Sequence, residues 1–229
     1  HTQLTQEFQL IIANDGGIYS SNISQDPGTT EGTWEFSGFG YNTSQFYAVD
    51  KAPGESRYVG GLQDNGTWMT AHNQEDDAPA LFKRVNGGDG FGTAWNYADK
   101  KQILSSLYFN RFEKSTNEGG SSPPSTNGLT DVGSGLGPFV TELEYCQADP
   151  DVVYTTGVSG VWKSEDFGDN WTLARVDSEW RLYSTVFARI SLDNPNIVWA
   201  GTGMSSTLGV NFHVSTDAGE SFLPVTKYD

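Results

Sequence analysis

Apolar residues along this chain fall in short runs, and each run is closed by residues that favour turns. Phe8-Gln-Leu-Ile-Ile-Ala13 ends at Asn14-Asp-Gly-Gly17, and Ile18-Tyr-Ser-Ser21 follows, which predicts strand, tight turn, strand. Trp34-Glu-Phe36 is a third strand. The runs at 45–49 and 57–61 flank the turn Lys51-Ala-Pro-Gly54, and Gln63-Asp-Asn-Gly66 turns the chain into Thr67-Trp-Met-Thr70. An acidic loop (Glu75, Asp76, Asp77) precedes the run at 81–85. Further strands are predicted at 93–97, 102–109 and 111–115. The stretch 117–137, rich in Gly, Ser and Pro, reads as a long surface loop. Apolar runs at helical period are scarce, so the pattern predicts an all-β protein.

The pattern also repeats. Ser164-Glu-Asp166-Phe-Gly168-Asp-Asn-Trp171 fits Ser-x-Asp-x-Gly-x-x-Trp, the motif called an Asp box. Ser215-Thr-Asp217-Ala-Gly219-Glu-Ser-Phe222 fits it again with Phe in the aromatic place, and 115–119 is a decayed copy without an aromatic. In such a box Ser and Asp bond nearby backbone amides, Gly takes a positive φ, and the aromatic re-enters the next strand to bury apolar surface. Asp149-Pro-Asp-Val-Val-Tyr154 parallels Asn194-Pro-Asn-Ile-Val-Trp199 ahead of the two boxes. Pro to box Ser is 14 residues in one case and 20 in the other, which predicts an insertion within 203–211. Ser21, Thr70, Ser115, Ser164 and Ser215 align, at separations of 49, 45, 49 and 51 residues. A period in the forties with about four strands per unit is that of β-propeller blades. Five four-stranded antiparallel blades are expected, at approximately 1–40, 41–88, 89–137, 138–182 and 183–229.

Composition narrows the range of partners. The 229 residues carry a formal charge of −16, so nucleic acid is a poor partner. No apolar run is long enough to span a membrane as a helix, and no membrane insertion is expected. The one cysteine, Cys146, excludes an intrachain disulfide. Gly (27) and the aromatics suit short strands joined by turns. The sequence opens at His1 rather than Met, and a fragment of a larger propeller is expected, completed by further blades or by another chain.

Asp boxes behind Asp-Pro-Asp-Val-Val-Tyr resemble the repeats of sialidases, xyloglucan-degrading glycoside hydrolases and sortilin-type receptors. The succession Asn14-Asp-Gly-Gly-Ile-Tyr19, Thr43-Ser-Gln-Phe-Tyr47, Gly60-Gly-Leu-Gln-Asp-Asn-Gly-Thr67 and Gly87-Gly-Asp-Gly-Phe91 resembles, more narrowly, sortilin-like propellers of secreted bacterial proteins, many with a C-terminal sorting tail, from Bacteroidota. That resemblance implies a propeller and an extracellular or cell-surface location. It leaves function open, because the fold hosts many.

Candidate chemistry is sparse. A sialidase needs three arginines on an anionic sugar, which six scattered arginines and the charge of −16 argue against. A glycosidase needs two carboxylates at a set separation; Asp15, Asp64 and Asp89 are the candidates, each inside a turn motif that explains it equally well. The three histidines lack zinc spacing, and neither a metal nor a cofactor is expected. The expected role is binding a glycan or protein ligand through loops, with Gln63, Asp64, Asn65, Trp68, Asp89, Trp95 and Tyr97 as contact residues. A carboxylate-pair glycosidase and a structural repeat of a surface adhesin or filament stand as alternatives. The boxes (Ser164, Asp166, Gly168, Trp171; Ser215, Asp217, Gly219, Phe222) are expected to be structural.

Overall fold

The computed structural model describes residues 6–14, 17–29, 32–38, 44–71, 81–176, 180, 186–191, 193–205 and 209–225, with only the backbone at 202–205 and 209–211. Among these, the regular elements are strands, and none is a helix. The chain divides into two compact units, His1–Gln45 and Phe46–Asp229.

The first unit holds one antiparallel sheet in the order β1 (Ile11–Asn14), β2 (Gly17–Ser21), β3 (Trp34–Phe36). Asn14 pairs with Gly17 across the turn, and Asp15 at that turn lies outside the described residues. Tyr19 meets Phe36 edge-on at 5.3 Å, as cross-strand neighbours in register do.

The second unit stacks four sheets. The first has β4 (Ala48–Lys51), β5 (Tyr58–Leu62), β6 (Gly66–Thr70) and β7 (Phe82–Asn86) in order. The second has β8 (Thr93–Trp95), β9 (Ile103–Ser106) and β10 (Phe112–Ser115). The third has β11 (Glu144–Cys146), β12 (Asp149–Gly157), β13 (Gly160–Ser164) and β14 (Thr172–Leu173). The fourth has β16 (Phe187–Ile190), β17 (Val198–Ser205), β18 (Gly209–Ser215) and β19 (Ser221–Pro224), and β15 (Arg175–Val176) adds to β19 in parallel. First strands of neighbouring sheets lie against one another, β4 on β8 and β11 on β16. That is the stacking of propeller blades, and the fold is an all-β propeller with five blades represented.

Each of the five aligned Ser/Thr residues ends the same strand of its blade: β2, β6, β10, β13 and β18. The expected four strands are not met everywhere. The β8–β10 blade has three, because its would-be outer strand runs through Pro123 and Pro124, which cannot donate to a ladder. That segment keeps only the bridge Glu113–Pro124 and the bonds Lys114 N to Pro123 O and Ser125 N to Phe112 O. The β1–β3 blade also shows three strands among the described residues. The predicted insertion falls in the β17–β18 hairpin, where β18 has 7 residues against 5 in β13.

Among the described residues, the buried apolar side chains gather in separate clusters. Three apolar layers each fill the space between adjacent sheets of the second unit. Val59 and Met69 face Trp95 and Ile103; Leu104, Phe112 and Leu129 face Val153, Trp162 and Trp171; Tyr154, Val161 and Ala174 face Ala188, Val198 and Phe222. Strands buried on both faces need apolar residues at successive positions, which is why period-2 alternation is weak in β5, β9 and β12.

The boxes make the joints between blades. In each, the Ser hydroxyl accepts from the backbone amides two and four residues on, and bonds the side chain at the Asp position. The decayed copy forms the same network with Asn117 in the Asp place. Each box carries a left-handed pair: Glu118–Gly119, Phe167–Gly168 and Ala218–Gly219. The box glycine then presses on the preceding blade. A Cβ would meet the Met69 sulfur at 2.5 Å from Gly119, Leu104 at 2.9 Å from Gly168, and the Tyr154 ring from Gly219. A buried cation of the preceding blade ties the same loop. Arg57 pairs with Glu118 at 3.1 Å, Lys114 with Asp169 at 2.7 Å and Lys163 with Glu220 at 2.7 Å.

Candidate functional site

In a blade, the hairpin between second and third strands and the link into the next blade emerge at one end. The box and the first hairpin emerge at the other. Gln63, Asp64 and Asn65 form the β5–β6 hairpin turn, with Asp64 in the left-handed region at φ +62°. The link 87–92 into β8 runs beside it. A Cβ on Gly90 would strike the Gly66 carbonyl, so only glycine lets the two backbones meet. Gly90 N donates to Leu62 O at 3.0 Å, and Asp64 N donates to Asp89 Oδ1 at 2.9 Å.

The structure thus brings Gln63, Asp64, Asn65 and Asp89 together at one end of the β4–β7 blade. Trp68 belongs to the same turn, its indole N–H donating to Asn65 O at 2.7 Å. Asp64 and Asn65 are exposed, and Asp89 and Trp68 are half-buried. One Asp89 oxygen is occupied by a backbone amide, the turn chemistry its sequence suggested. Tyr47 donates from its hydroxyl to Gln63 Oε1 at 2.7 Å and joins the group. Beyond Tyr47 lie the rings of Phe91, at 4.9 Å, and Phe139.

Two expected contact residues sit elsewhere. Trp95 is fully buried, covered by the Arg57 guanidinium at 4.9 Å and bonded through its indole N–H to Lys100 O. It belongs to the layer between blades and offers no face to a ligand. Tyr97 is half-buried beyond the far end of β8 from Gly90 and points its hydroxyl at Asp50.

Asp50 was not read from the sequence. It is a buried acid on β4, accepting from the Lys51 and Trp95 amides at 2.7 and 2.5 Å and from the hydroxyls of Tyr97 and Tyr145. Burial raises its pKa despite these donors, and burial together with the Asp50 charge pushes Tyr145 far up. Glu144 on β11 is also raised, chiefly by burial, though the Ile190 amide donates to it at 2.9 Å and Arg189 lies 3.6 Å away. Raised carboxyls near first strands are worth noting as acid candidates, but every oxygen of Asp50 has a donor. Its geometry ties three successive blades together. The only sequence signal was one acid in the run Ala48-Val49-Asp50. Among the described residues no group of His, Cys, Asp or Glu is arranged to hold a metal, and no helix is long and apolar enough to cross a membrane.

Neither a family description nor a curated protein matches this chain. Solved structures do match in fold. The GH74 enzyme of Niastella koreensis superposes with a TM-score of 0.55 at 16% identity, covering 94% of this chain and 28% of that one. The GH74 xyloglucanase of Xanthomonas campestris gives 0.52 at 18%, over 92% and 29%. An ancestral GH74 enzyme gives 0.58 at 18%, over 96% and 30%. The chain spans less than a third of the length of these neighbours, and at such identity the likeness is one of propeller fold. The narrower resemblance to sortilin-like repeats rests on the sequence motifs.

Proposed function

We propose that this chain is the ligand-binding part of a secreted or cell-surface propeller, recognising a neutral glycan at the blade end that carries Gln63, Asp64, Asn65, Trp68 and Asp89. The carrying observation is the hydrogen bond from Asp64 N to Asp89 Oδ1, which locks the turn and the neighbouring link into one polar cluster beside an exposed tyrosine. A few convergent polar groups next to aromatic surface suit a sugar ligand. The charge of −16 disfavours acidic polymers. Further blades, in the same polypeptide or another, complete the ring in this reading.

The test is affinity electrophoresis and calorimetry against xyloglucan, galactomannan and an anionic polysaccharide. Xyloglucan belongs in the panel because one fold neighbour is a xyloglucanase. Binding to a neutral polysaccharide, weakened by Asp64→Ala and Gln63→Ala, supports the proposal; absence of binding to every polysaccharide rejects it.

A glycoside hydrolase is the second reading, favoured by the adjacency of Asp64 and Asp89. It requires a carboxylate pair spaced for acid–base or nucleophilic work on one sugar. Sugar release from the same polysaccharides, abolished by Asp64→Ala or Asp89→Ala with binding retained, would replace the binding reading with this one.

A further inference from the structure

The turn between β9 and β10 is held in a conformation its side chains would not choose. Phe109 and Asn110 lie at φ +58° and +59°. Glycine and asparagine are usual at positive-φ turn positions, and a bulky ring there is an outlier. The surroundings impose it. Asn110 is fully buried, donates from its backbone N–H to Thr141 Oγ1 at 2.8 Å, and donates from Nδ2 to Asp131 O at 3.0 Å and Thr156 O at 2.8 Å. Phe109 N donates to Pro138 O, and Phe109 O accepts from Gly133 N, both at 3.0 Å. Strain so thoroughly supported by its neighbours is a mark of functional positions.

The strain sets the position of rings. Phe109 meets Phe139 at 5.6 Å, and Tyr108 lies nearly parallel to Phe139, at 9° and 6.3 Å. Phe139 meets Phe91 at 5.5 Å, and Phe91 meets Tyr47 at 4.9 Å. Arg111 covers the Tyr108 ring at 4.9 Å. The row therefore runs from the Gln63 turn, through Tyr47, to a guanidinium on the next blade. Phe91, 1% exposed, backs the row, so the faces left for contact are those of Tyr47 and Phe139, 46% and 44% exposed, with the half-buried Tyr108 and Phe109 beside them.

We propose that this row is the stacking floor of the binding site, taking successive pyranose rings of a neutral polysaccharide. Asn110 is its positioning residue, fixing the turn that presents Tyr108 and Phe109. This rests on the glycan reading above. The occupant follows from chemistry. Aromatic rings accept the C–H face of a sugar, the polar turn at one end serves its hydroxyls, and the acidic chain repels charged polymers.

The test uses the whole chain with xyloglucan, galactomannan and a pool of unstructured peptides as probes. The variants are Tyr108→Ala, Phe139→Ala and Asn110→Gly, with Leu173→Ser on β14 as a control and near-ultraviolet circular dichroism as the check on folding. Tyr108→Ala and Phe139→Ala are each expected to weaken polysaccharide binding about tenfold. Asn110→Gly accepts the positive φ but lacks the buried amide, and a similar loss is expected, with Leu173→Ser unchanged. Phe139 is exposed, so its truncation remains informative if Asn110→Gly fails to fold. Polysaccharide binding lost in Asp64→Ala but unchanged in Tyr108→Ala and Phe139→Ala would overturn the floor and leave the glycan reading standing. No polysaccharide binding by the unaltered chain would overturn both. Peptide capture weakened by Phe139→Ala, without polysaccharide binding, would overturn the ligand class.

Discussion

Asp217 and Asn117 occupy the same place in two boxes and make the same bonds, a Ser hydroxyl and a backbone amide four residues on. They differ in charge. Hydrogen bonds from Ser221 and Ser215 bring Asp217 down to about 2. Asp166 is also lowered: burial opposes this, and Asn170 and Ser164 outweigh it. A depressed carboxyl stabilises the fold fully above its unfolded pKa, and that contribution fades as pH falls through the folded value. Asp217→Asn should therefore keep the fold, as Asn117 does, while flattening the loss of thermal stability between about pH 4 and pH 2. Melting temperatures of both proteins across that range check this. Gly219→Ala should be worse at every pH, since the new methyl meets the Tyr154 ring at a φ of +81°. A loss of about 2 kcal/mol in urea unfolding is expected. The boxes were legible because their geometry is local. Asp50 and Asn110 were not, because their partners lie on other blades, 45 residues away for Trp95 and 46 for Thr156.

Strands were legible where a turn motif closed them, as at β5, β6 and β13. Their fates were less so. The run 93–97 looks like one strand with two candidate aromatics, yet it ends at Trp95 inside a core layer and leaves Tyr97 at a first-strand cluster. Sequence shows that a ring is present, and only packing shows what covers it. Lysine near a strand end is similarly ambiguous. Lys114 and Lys163 would ordinarily be read as solvated, but both are buried and reach the next blade's box. Burial works against the charge on Lys163, and the hydrogen bonds it donates to Glu165 and Glu220 more than offset it, holding its pKa above the usual lysine value. Lys114→Ala should cost about 1–3 kcal/mol, because it strands the Asp166 carbonyl that the ammonium satisfies. Arg111→Ala, an exposed change, should stay within about 0.5 kcal/mol. Chemical denaturation of the two variants side by side measures the difference.

At the scale of the molecule, the blade period was readable and the function was not. Blades repeat because each must bury the same face against its neighbour, which leaves a period in the sequence. A binding site is made once, from loops that obey no period. The GH74 neighbours share the first property with this chain at 16–18% identity. A further expectation is insensitivity to salt: if the ligand is a neutral glycan, its affinity should change little between low and physiological ionic strength, because no counterions are exchanged. Calorimetry at both strengths checks it.

The joints between blades have a mechanical corollary. Each is one loop seated on one neighbour by a glycine and a buried cation, so the blades from β4 onward are latched in series. Pulled from its C-terminal end, such a protein should give way one latch at a time, as stacked repeats do. The latched serines, Ser115, Ser164 and Ser215, are 49 and 51 residues apart. Each rupture should therefore release roughly 160 Å of slack polypeptide, at about 3.3–3.6 Å per residue. A force–extension trace would then be a staircase, and a glycine-to-alanine change in one box would lower a single step.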